Sequence, residues 1–334
     1  MVMRPLAIIL MIVWHSFIIY TGGWQAPIEH EDICAYWWIA KLSYAFMLEL
    51  FVFISGYVFA ITINKENTTF KSILISKLRR LIIPSIIFSA LYFALLGNKD
   101  NSVYSIVYGL FNGNGHFWFL PMLFWTTLLC YIFDKVEMKI LTKIVILFCL
   151  PALSILPFPL RIGSAFYYIP FFYAGILLYQ CRLDYINKIS AKHILLLGFI
   201  FGMLFFAKCY TDTILSTYEK YSDNLILRAT IVEICKYIRF VTAFAGIAFV
   251  YATTNFFIIH KGKNIPLWLQ DFNEQCFGVY VFQQFVLQIL YYKTPLPSII
   301  GPYWLPWIGL VIALSSSYLL SKLVRSVKLG RAIL

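Results

Sequence analysis

Long apolar runs alternate along the chain with short polar segments. Each run comes close to the ~20 residues that an α-helix needs to cross the hydrocarbon core of a bilayer. The pattern predicts an all-α polytopic membrane protein, a bundle of about ten transmembrane helices in one domain over residues 1–334. The predicted spans lie near residues 5–21, 43–63, 81–97, 117–133, 141–157, 164–181, 193–210, 238–257, 277–292 and 304–323.

The fifth predicted span, 141–157, is less regular than the others because it is short and contains Pro151 and Pro157. Such a segment can also enter and leave the membrane on one side. The longest polar segment, 211–237, mixes acidic and basic residues and is interpreted as an interfacial connection between helices. Because no A-x-A-like site follows the first apolar run, we expect no cleavable signal peptide.

Positive charge sets the orientation of the predicted bundle. With the N-terminus in the cytoplasm, most of the 27 Lys and Arg residues fall in inner segments, whereas the first outer loop carries Glu29, Glu31 and Asp32. Cytoplasmic loops of membrane proteins are enriched in Lys and Arg. Because the number of spans is even, we expect both termini in the cytoplasm and the basic segments in contact with anionic inner-leaflet lipid.

The composition agrees with a chain that faces lipid. Hydrophobic residues make up 61% of it and charged residues 13%, where a soluble domain carries roughly 25% charged residues. The positive-inside pattern accounts for the net charge of +12, and no recognition motif accompanies that charge, so nucleic acid is not an expected partner. The seven cysteines include no CxxC pair, which favours packing roles over a metal site or a disulfide framework.

His15 and Glu49 are ionisable residues inside predicted spans, where such residues are costly and are functional candidates by default. Both lie about six residues from the outer ends of their spans, on neighbouring antiparallel helices. We therefore predict a hydrogen bond between them, in which the carboxylate orients the imidazole. The alternative is a structural pair that holds the two helices together.

Arg4 and His15 share one face of the first predicted helix. Their separation corresponds to three helical turns plus about 20° and to a rise of ~16 Å. A long anionic ligand that enters from the cytoplasm can therefore reach both side chains. The alternative for Arg4 is an ordinary positive-inside anchor.

Two further features lie on the second and third spans. Gly56 shares a helix face with Glu49 and permits close approach of another helix or of a ligand. A basic run with Lys77, Arg79 and Arg80 lies at the inner mouth of the third span. It can bind phosphate groups, or it can serve only as a topological anchor.

His116 begins the aromatic segment His-Phe-Trp-Phe-Leu on the outer side of the fourth predicted span. One interpretation is an interfacial histidine within an aromatic belt. A functional role is favoured because His116 lies on the same side of the membrane as His15.

Together these segments resemble the acyltransferase family 3, membrane enzymes that acylate cell-surface glycans and related acceptors. The resemblance covers essentially the whole chain, and although each motif alone is weak, the ordered set is specific. The similar segments are the Arg/Lys-x10-His pair of Arg4 and His15, FVFISGY from Phe51 to Tyr57 with Ser55 and Gly56, KLRRLIIP from Lys77 to Pro84, HFWFL from His116 to Leu120 with Trp118, FYAG from Phe172 to Gly175, and FGVYVFQ from Phe277 to Gln283 with Tyr280.

The chain departs from the family pattern at Gln283, where the ninth-span motif often ends in His. Gln can hydrogen-bond but cannot supply an imidazole, so a role that needs one at this position is in doubt. Some relatives carry an extra hydrolase-like domain after the last helix, and we expect none here.

The resemblance implies an O-acyltransferase of the plasma (bacterial inner) membrane with acetyl-CoA as acyl donor and no metal. The implied acceptor is a sugar hydroxyl of a surface polysaccharide, its lipid-linked precursor or another exported glycan. His15 would act either as a general base or as the carrier of a covalent acyl group. The implied site comprises His15, Glu49 and His116 for catalysis, Arg4, Lys77, Arg79 and Arg80 for the phosphates of CoA, and Ser55, Gly56, Trp118, Tyr280 and Gln283 as further candidates.

Two other classes of protein stay open. A glycan or lipid transporter would also have about ten helices and buried charge, but the paired interrupted helices frequent in transporters are not evident. A sensor or scaffold could keep the fold without the chemistry. The presence of Arg4, His15 and His116 argues against such a loss, whereas Gln283 leaves it open.

Overall fold

In a computed structural model, the protein is described over residues 2–65, 69–97, 102–181, 189–221, 224–261 and 265–334. Every regular element in these ranges is a helix, which confirms the all-α prediction. The α-helices are α1 (Met3–Phe17), α2 (Cys34–Tyr44), α3 (Met47–Lys65), α4 (Phe70–Lys77), α5 (Ile83–Leu96), α6 (Val103–Asn112), α7 (Phe119–Lys135), α8 (Ile140–Cys149), α9 (Ile162–Gln180), α10 (Ala191–Tyr221), α11 (Leu225–Lys261), α12 (Leu267–Tyr292), α13 (Leu296–Ile300), α14 (Leu305–Ser326) and α15 (Lys328–Ile333).

Eight helical stretches in the described ranges are long and apolar enough to cross a membrane. They coincide with eight of the ten predicted spans, so the prediction of a polytopic membrane protein is confirmed. These stretches are Met3–Thr21, Cys34–Asn64, Phe70–Leu96, Gly115–Lys135, Ile162–Gln180, Ala191–Leu215, Ile226–Phe257 and Leu305–Ser326.

The other two predicted spans are helical but are not among these eight stretches. The ninth lies in α12, whose 26 residues extend ~39 Å at 1.5 Å per residue and include several glutamines. The fifth is the ten-residue α8 followed by a 3-10 helix, Leu150–Ile155. Lys143 contacts the carbonyl of Asp134 at one end of α7, and Arg161 donates to the carbonyl of Asn112 near its other end. The fifth predicted span is therefore a short α-helix followed by a 3-10 helix. The contacts of Lys143 and Arg161 place the two ends of this region near the two ends of α7.

Both chain ends lie at the same end of the bundle, as an even number of spans requires. The C-terminal half of α14 is tied to the start of α12 by Ser321, which donates to Gln275, and by the ion pair of Lys322 with Asp271. Arg4, at the start of α1, lies near Cys276 in the same part of α12. We call this the N-terminal end of the bundle and the other, which carries the loop after α1, the opposite end.

The segment 211–237 was expected to be an interfacial connection, but it is helical on both sides of residues 222 and 223, which lie outside the described ranges. With 31 and 37 residues, α10 and α11 are ~46 and ~55 Å long, longer than the ~30 Å hydrocarbon core. The charged residues of this segment that the structure describes therefore belong to helices that extend beyond the apolar layer.

Among the helix pairs of the described ranges, α3 and α9 have the most extensive contact. A Cβ atom at Gly56 would overlap the carbonyl of Phe172, and one at Gly175 would overlap that of Phe53. The two glycines thus let the backbones of α3 and α9 touch, as small residues do at helix interfaces in membranes. This close packing of α3 on α9 holds α9 beside the helices that carry the candidate site.

Candidate functional site

His15 lies buried in the last turn of α1. Its Nδ1 atom is 3.1 Å from Oε1 of Gln283, which α12 presents at the same depth. Because the amide oxygen accepts this hydrogen bond, Nδ1 carries the proton and Nε2 keeps a free lone pair. The arrangement holds one nitrogen of a neutral imidazole available as a base.

His116 is held by a glycine-containing turn at the start of α7. Gly113 and Gly115 have positive φ values, +74° and +56°, which glycine adopts without strain. The His116 Nε2 atom donates to the carbonyl of Tyr280 at 2.9 Å, and the Tyr280 hydroxyl donates to the carbonyl of His116 at 2.7 Å. His116 Nδ1 is left with a free lone pair and no hydrogen-bond partner.

The two imidazoles line one cavity of about 260 Å³. Their ring centroids are 6.3 Å apart, and the indole of Trp24 stacks on His15 at 5.6 Å. Trp118 and Tyr280 form further parts of the wall. Two neutral bases thus face a small aromatic space that is large enough for a reacting ester group and a hydroxyl but not for a nucleotide.

The predicted hydrogen bond between His15 and Glu49 is wrong. Glu49 is fully buried, accepts a hydrogen bond from the Tyr167 hydroxyl at 3.2 Å, and pairs with Arg239 at 3.6 Å. It does not line the cavity of His15. The two residues do lie on neighbouring helices, but the Glu49 side chain faces α9 and α11 instead of α1, and Gln283 takes the place beside the imidazole.

Arg239 is a central charge that the sequence reasoning missed. Its guanidinium lies 5.0 Å from the ring centroid of Tyr44 and 5.9 Å from that of Tyr167. Tyr44 in turn stacks on Trp14 at 4.3 Å, and both rings line the cavity of the histidines. A signal was present, because Arg239 falls inside the predicted span 238–257, where an ionisable residue is a candidate by default.

The cationic candidates lie at the N-terminal end of the bundle, away from the histidines. Arg4 and His15 are both on α1, so the predicted rise of ~16 Å between them applies. Lys77 lies over the ring of Phe59 on α3 at 5.3 Å, whereas Arg4 lies near α12. The structure therefore places these cations at one end of the bundle but against different helices.

A π-helical turn, Leu78–Ile82, joins α4 to α5 and contains Arg79 and Arg80. Turns of this kind are frequent at functional sites because they change the direction of side chains within a helix. Both arginines are exposed. They are available to a ligand at the N-terminal end of the bundle.

The remaining candidates fall into two groups. Trp118 and Tyr280 line the histidine cavity, and Arg161 lies over the Trp118 ring at 5.8 Å. Ser55 donates to the carbonyl of Phe51 in its own helix, and Gly56 packs against α9. Ser55 and Gly56 therefore have structural surroundings and do not line the cavity.

Within the described ranges, no group of three or more His, Cys, Asp and Glu side chains is placed to hold a metal ion. The seven cysteines are free thiols.

The sequence model of a family described as an acyltransferase domain matches residues 2–325, nearly the whole chain. No curated protein and no solved structure has a significant match to the chain.

Proposed function

We propose that this chain, which belongs to the acyltransferase family 3, moves an acyl group from acyl-CoA to a hydroxyl of a cell-envelope glycan. The observation that carries the proposal is the cavity in which the free nitrogens of His15 and His116 meet. In each histidine the other ring nitrogen is fixed by a hydrogen bond that it donates to an oxygen atom of α12. Such an arrangement suits proton transfer during acyl transfer.

In the proposed reaction, the acceptor oxygen attacks the thioester carbonyl carbon while His15 Nε2 takes the hydroxyl proton. A C–O bond forms, the C–S bond breaks, and the CoA thiolate leaves. The thiolate then takes the proton from the imidazolium, which restores neutral His15 and releases free CoA thiol. The buried hydrogen bond to Gln283 keeps the imidazole in the required orientation throughout.

A covalent variant of this reaction uses the same atoms. His15 Nε2 attacks the thioester first, the thiolate leaves, and the acceptor hydroxyl then attacks the acyl-imidazole. The position of His116 in the same cavity suits a base for this second step. Trapping of an acyl-protein in the absence of acceptor separates the two routes.

The donor is proposed to enter from the cytoplasm. Arg4, Lys77, Arg79 and Arg80 supply positive charge at the N-terminal end of the bundle, where the phosphates of CoA would lie. An extended pantetheine arm is similar in length to the ~16 Å rise from Arg4 to His15. Acetyl is the proposed acyl group because the cavity of about 260 Å³ is small.

The acceptor is proposed to enter from the other side of the plasma (bacterial inner) membrane, as a surface polysaccharide or its lipid-linked precursor. His15 and His116 lie towards the opposite end of the bundle, close to the loop between α1 and α2. The protein would thus pass an acyl group across the bilayer without moving a nucleotide.

The test is consumption of acetyl-CoA by the purified protein in lipid nanodiscs, measured as release of free thiol with and without acceptor. The wild-type protein should release thiol, and His15→Ala should lower the rate by ~10²–10⁴, the usual contribution of a positioned base. Equal insertion and thermal stability of the variant serve as the control. No thiol release by the wild type would favour a transporter, and wild-type rates in a folded His15→Ala protein would remove His15 from the mechanism.

A further inference from the structure

A second cavity, of about 840 Å³, lies on the loop between α1 and α2. Its volume is within the range of roughly 300–1,000 Å³ typical of ligand sites. Six side chains in its wall carry aromatic rings, amide groups or carboxylates. They are Tyr20, Trp24, Gln25, Glu29, His30 and Asp32.

Trp24 connects this loop cavity to the cavity of the histidines, because its side chain belongs to the wall of both. The indole stacks on the His15 imidazole at 5.6 Å with an angle of 12° between the rings. In a molecule that occupies the loop cavity and contacts Trp24, the contacting group is therefore separated from the His15 imidazole only by the indole ring. Neither cavity alone would position a large acceptor for attack.

Hydrogen bonds tie the loop to the end of α12 and to the segment between α13 and α14. The Tyr292 hydroxyl donates to the carbonyl of Gln25 at 2.7 Å, and the Tyr20 hydroxyl donates to the carbonyl of Pro302. The Tyr36 hydroxyl at the start of α2 donates to the carbonyl of Tyr303 at 2.8 Å. These bonds attach three points of the loop region to the end of α12 and to residues 302 and 303.

The chemistry of the wall fits a saccharide. Aromatic faces pack against the apolar face of a sugar ring, and carboxylate and amide oxygens accept hydrogen bonds from its hydroxyl groups. The side chains of Glu29 and Asp32 are exposed and available for such bonds. The ten residues that form this wall include no Lys or Arg, so an anionic ligand would meet uncompensated negative charge.

We propose that this loop cavity is the acceptor subsite, which binds an uncharged or amino sugar next to the one whose hydroxyl is acylated. The inference rests on the proposed acyl transfer and adds the class of acceptor and the residues that select it. Trp24 would contact the sugar chain where it passes from the loop cavity to the histidines. Hydrogen bonds to Glu29 and Asp32 would fix the position of the chain.

The test compares the double variant Glu29→Gln, Asp32→Asn with the wild type in full-length protein reconstituted in nanodiscs. The acceptor probe is surface polysaccharide purified from the producing cells and freed of O-acyl groups with mild alkali. The variant should raise the apparent KM for this polysaccharide about tenfold, equivalent to ~1.4 kcal/mol. The KM for acetyl-CoA and the slow release of thiol without acceptor should stay unchanged.

Glu31→Gln is the matched control, because Glu31 belongs to the same loop and is also exposed but does not line the cavity. It should leave both KM values unchanged. An unchanged polysaccharide KM in the double variant, or an equal rise in the control, would overturn the acceptor subsite while thiol release by the wild type still supports acyl transfer. Absence of thiol release in the wild type would refute the proposed function itself, and the subsite with it.

Discussion

The hydrogen bond between Gln283 and His15 offers a sensitive test of how the site works. In Gln283→Leu, the Nδ1–H group of the buried His15 would lose its acceptor. A buried donor without a partner costs ~1–3 kcal/mol. The imidazole can avoid this cost by changing tautomer or rotating, and either change removes Nε2 from its position as base.

The expected effect is a loss of turnover and not of donor binding. A cost of ~1–3 kcal/mol corresponds to a roughly five- to 150-fold lower kcat. The KM for acetyl-CoA should stay the same because Gln283 lies far from the cationic end of α1. The assay is thiol release from acetyl-CoA with polysaccharide acceptor at saturating concentration. Gln283→His, which can accept the same bond through a ring nitrogen, should retain most of the activity.

Gln275→Leu supplies a matched control, since Gln275 is also a buried glutamine of α12 and accepts a hydrogen bond from Ser321 at 2.8 Å. It should lower thermal stability by about as much as Gln283→Leu does but leave kcat unchanged. Equal losses of kcat in both variants would mean that Gln283 only stabilises the helix packing. A wild-type kcat in Gln283→Leu would refute the role of the bond in orienting His15.

Two further predictions concern the charged residues. Glu49→Gln should lower the stability in nanodiscs by less than the ~3–5 kcal/mol typical of a broken buried pair, because the Arg239 side chain is 30% exposed. It should also reduce kcat less than His15→Ala does. A stable Glu49→Gln protein that is as inactive as His15→Ala would contradict this prediction. Replacement of both Arg79 and Arg80 by glutamine should raise the KM for acetyl-CoA about tenfold and leave the KM for polysaccharide unchanged. If the KM for acetyl-CoA equals that of the wild type, both arginines have only a topological role.

Much of the architecture follows from the sequence. Apolar runs of about 20 residues have no stable place outside lipid, and their backbone groups must be paired within helices. For this reason eight of the ten predicted spans coincide with long apolar helical stretches of the described ranges. One of them contains α1, which carries Arg4 and His15 on one helix. The order of the motifs was enough to identify the family, which the match over residues 2–325 confirmed.

The predictions were weaker where helices continue past the membrane. The segment 211–237 is rich in charge, and the rule that charged segments lie between spans assigned it to a connection. The structure continues α10 and α11 through most of it. Hydropathy reports the part of a helix that meets lipid, not the point at which the helix ends.

The partners of the candidate residues were decided by the tertiary structure. The sequence placed His15 and Glu49 at equal depth, because depth depends only on the number of residues along a helix. Which side chains meet depends also on the rotation of each helix and on its neighbours. These brought Gln283, 268 positions away in the chain, to His15 and brought Arg239 to Glu49. Contacts between such distant positions leave no periodic signal in a single sequence, so only the packed bundle determines them.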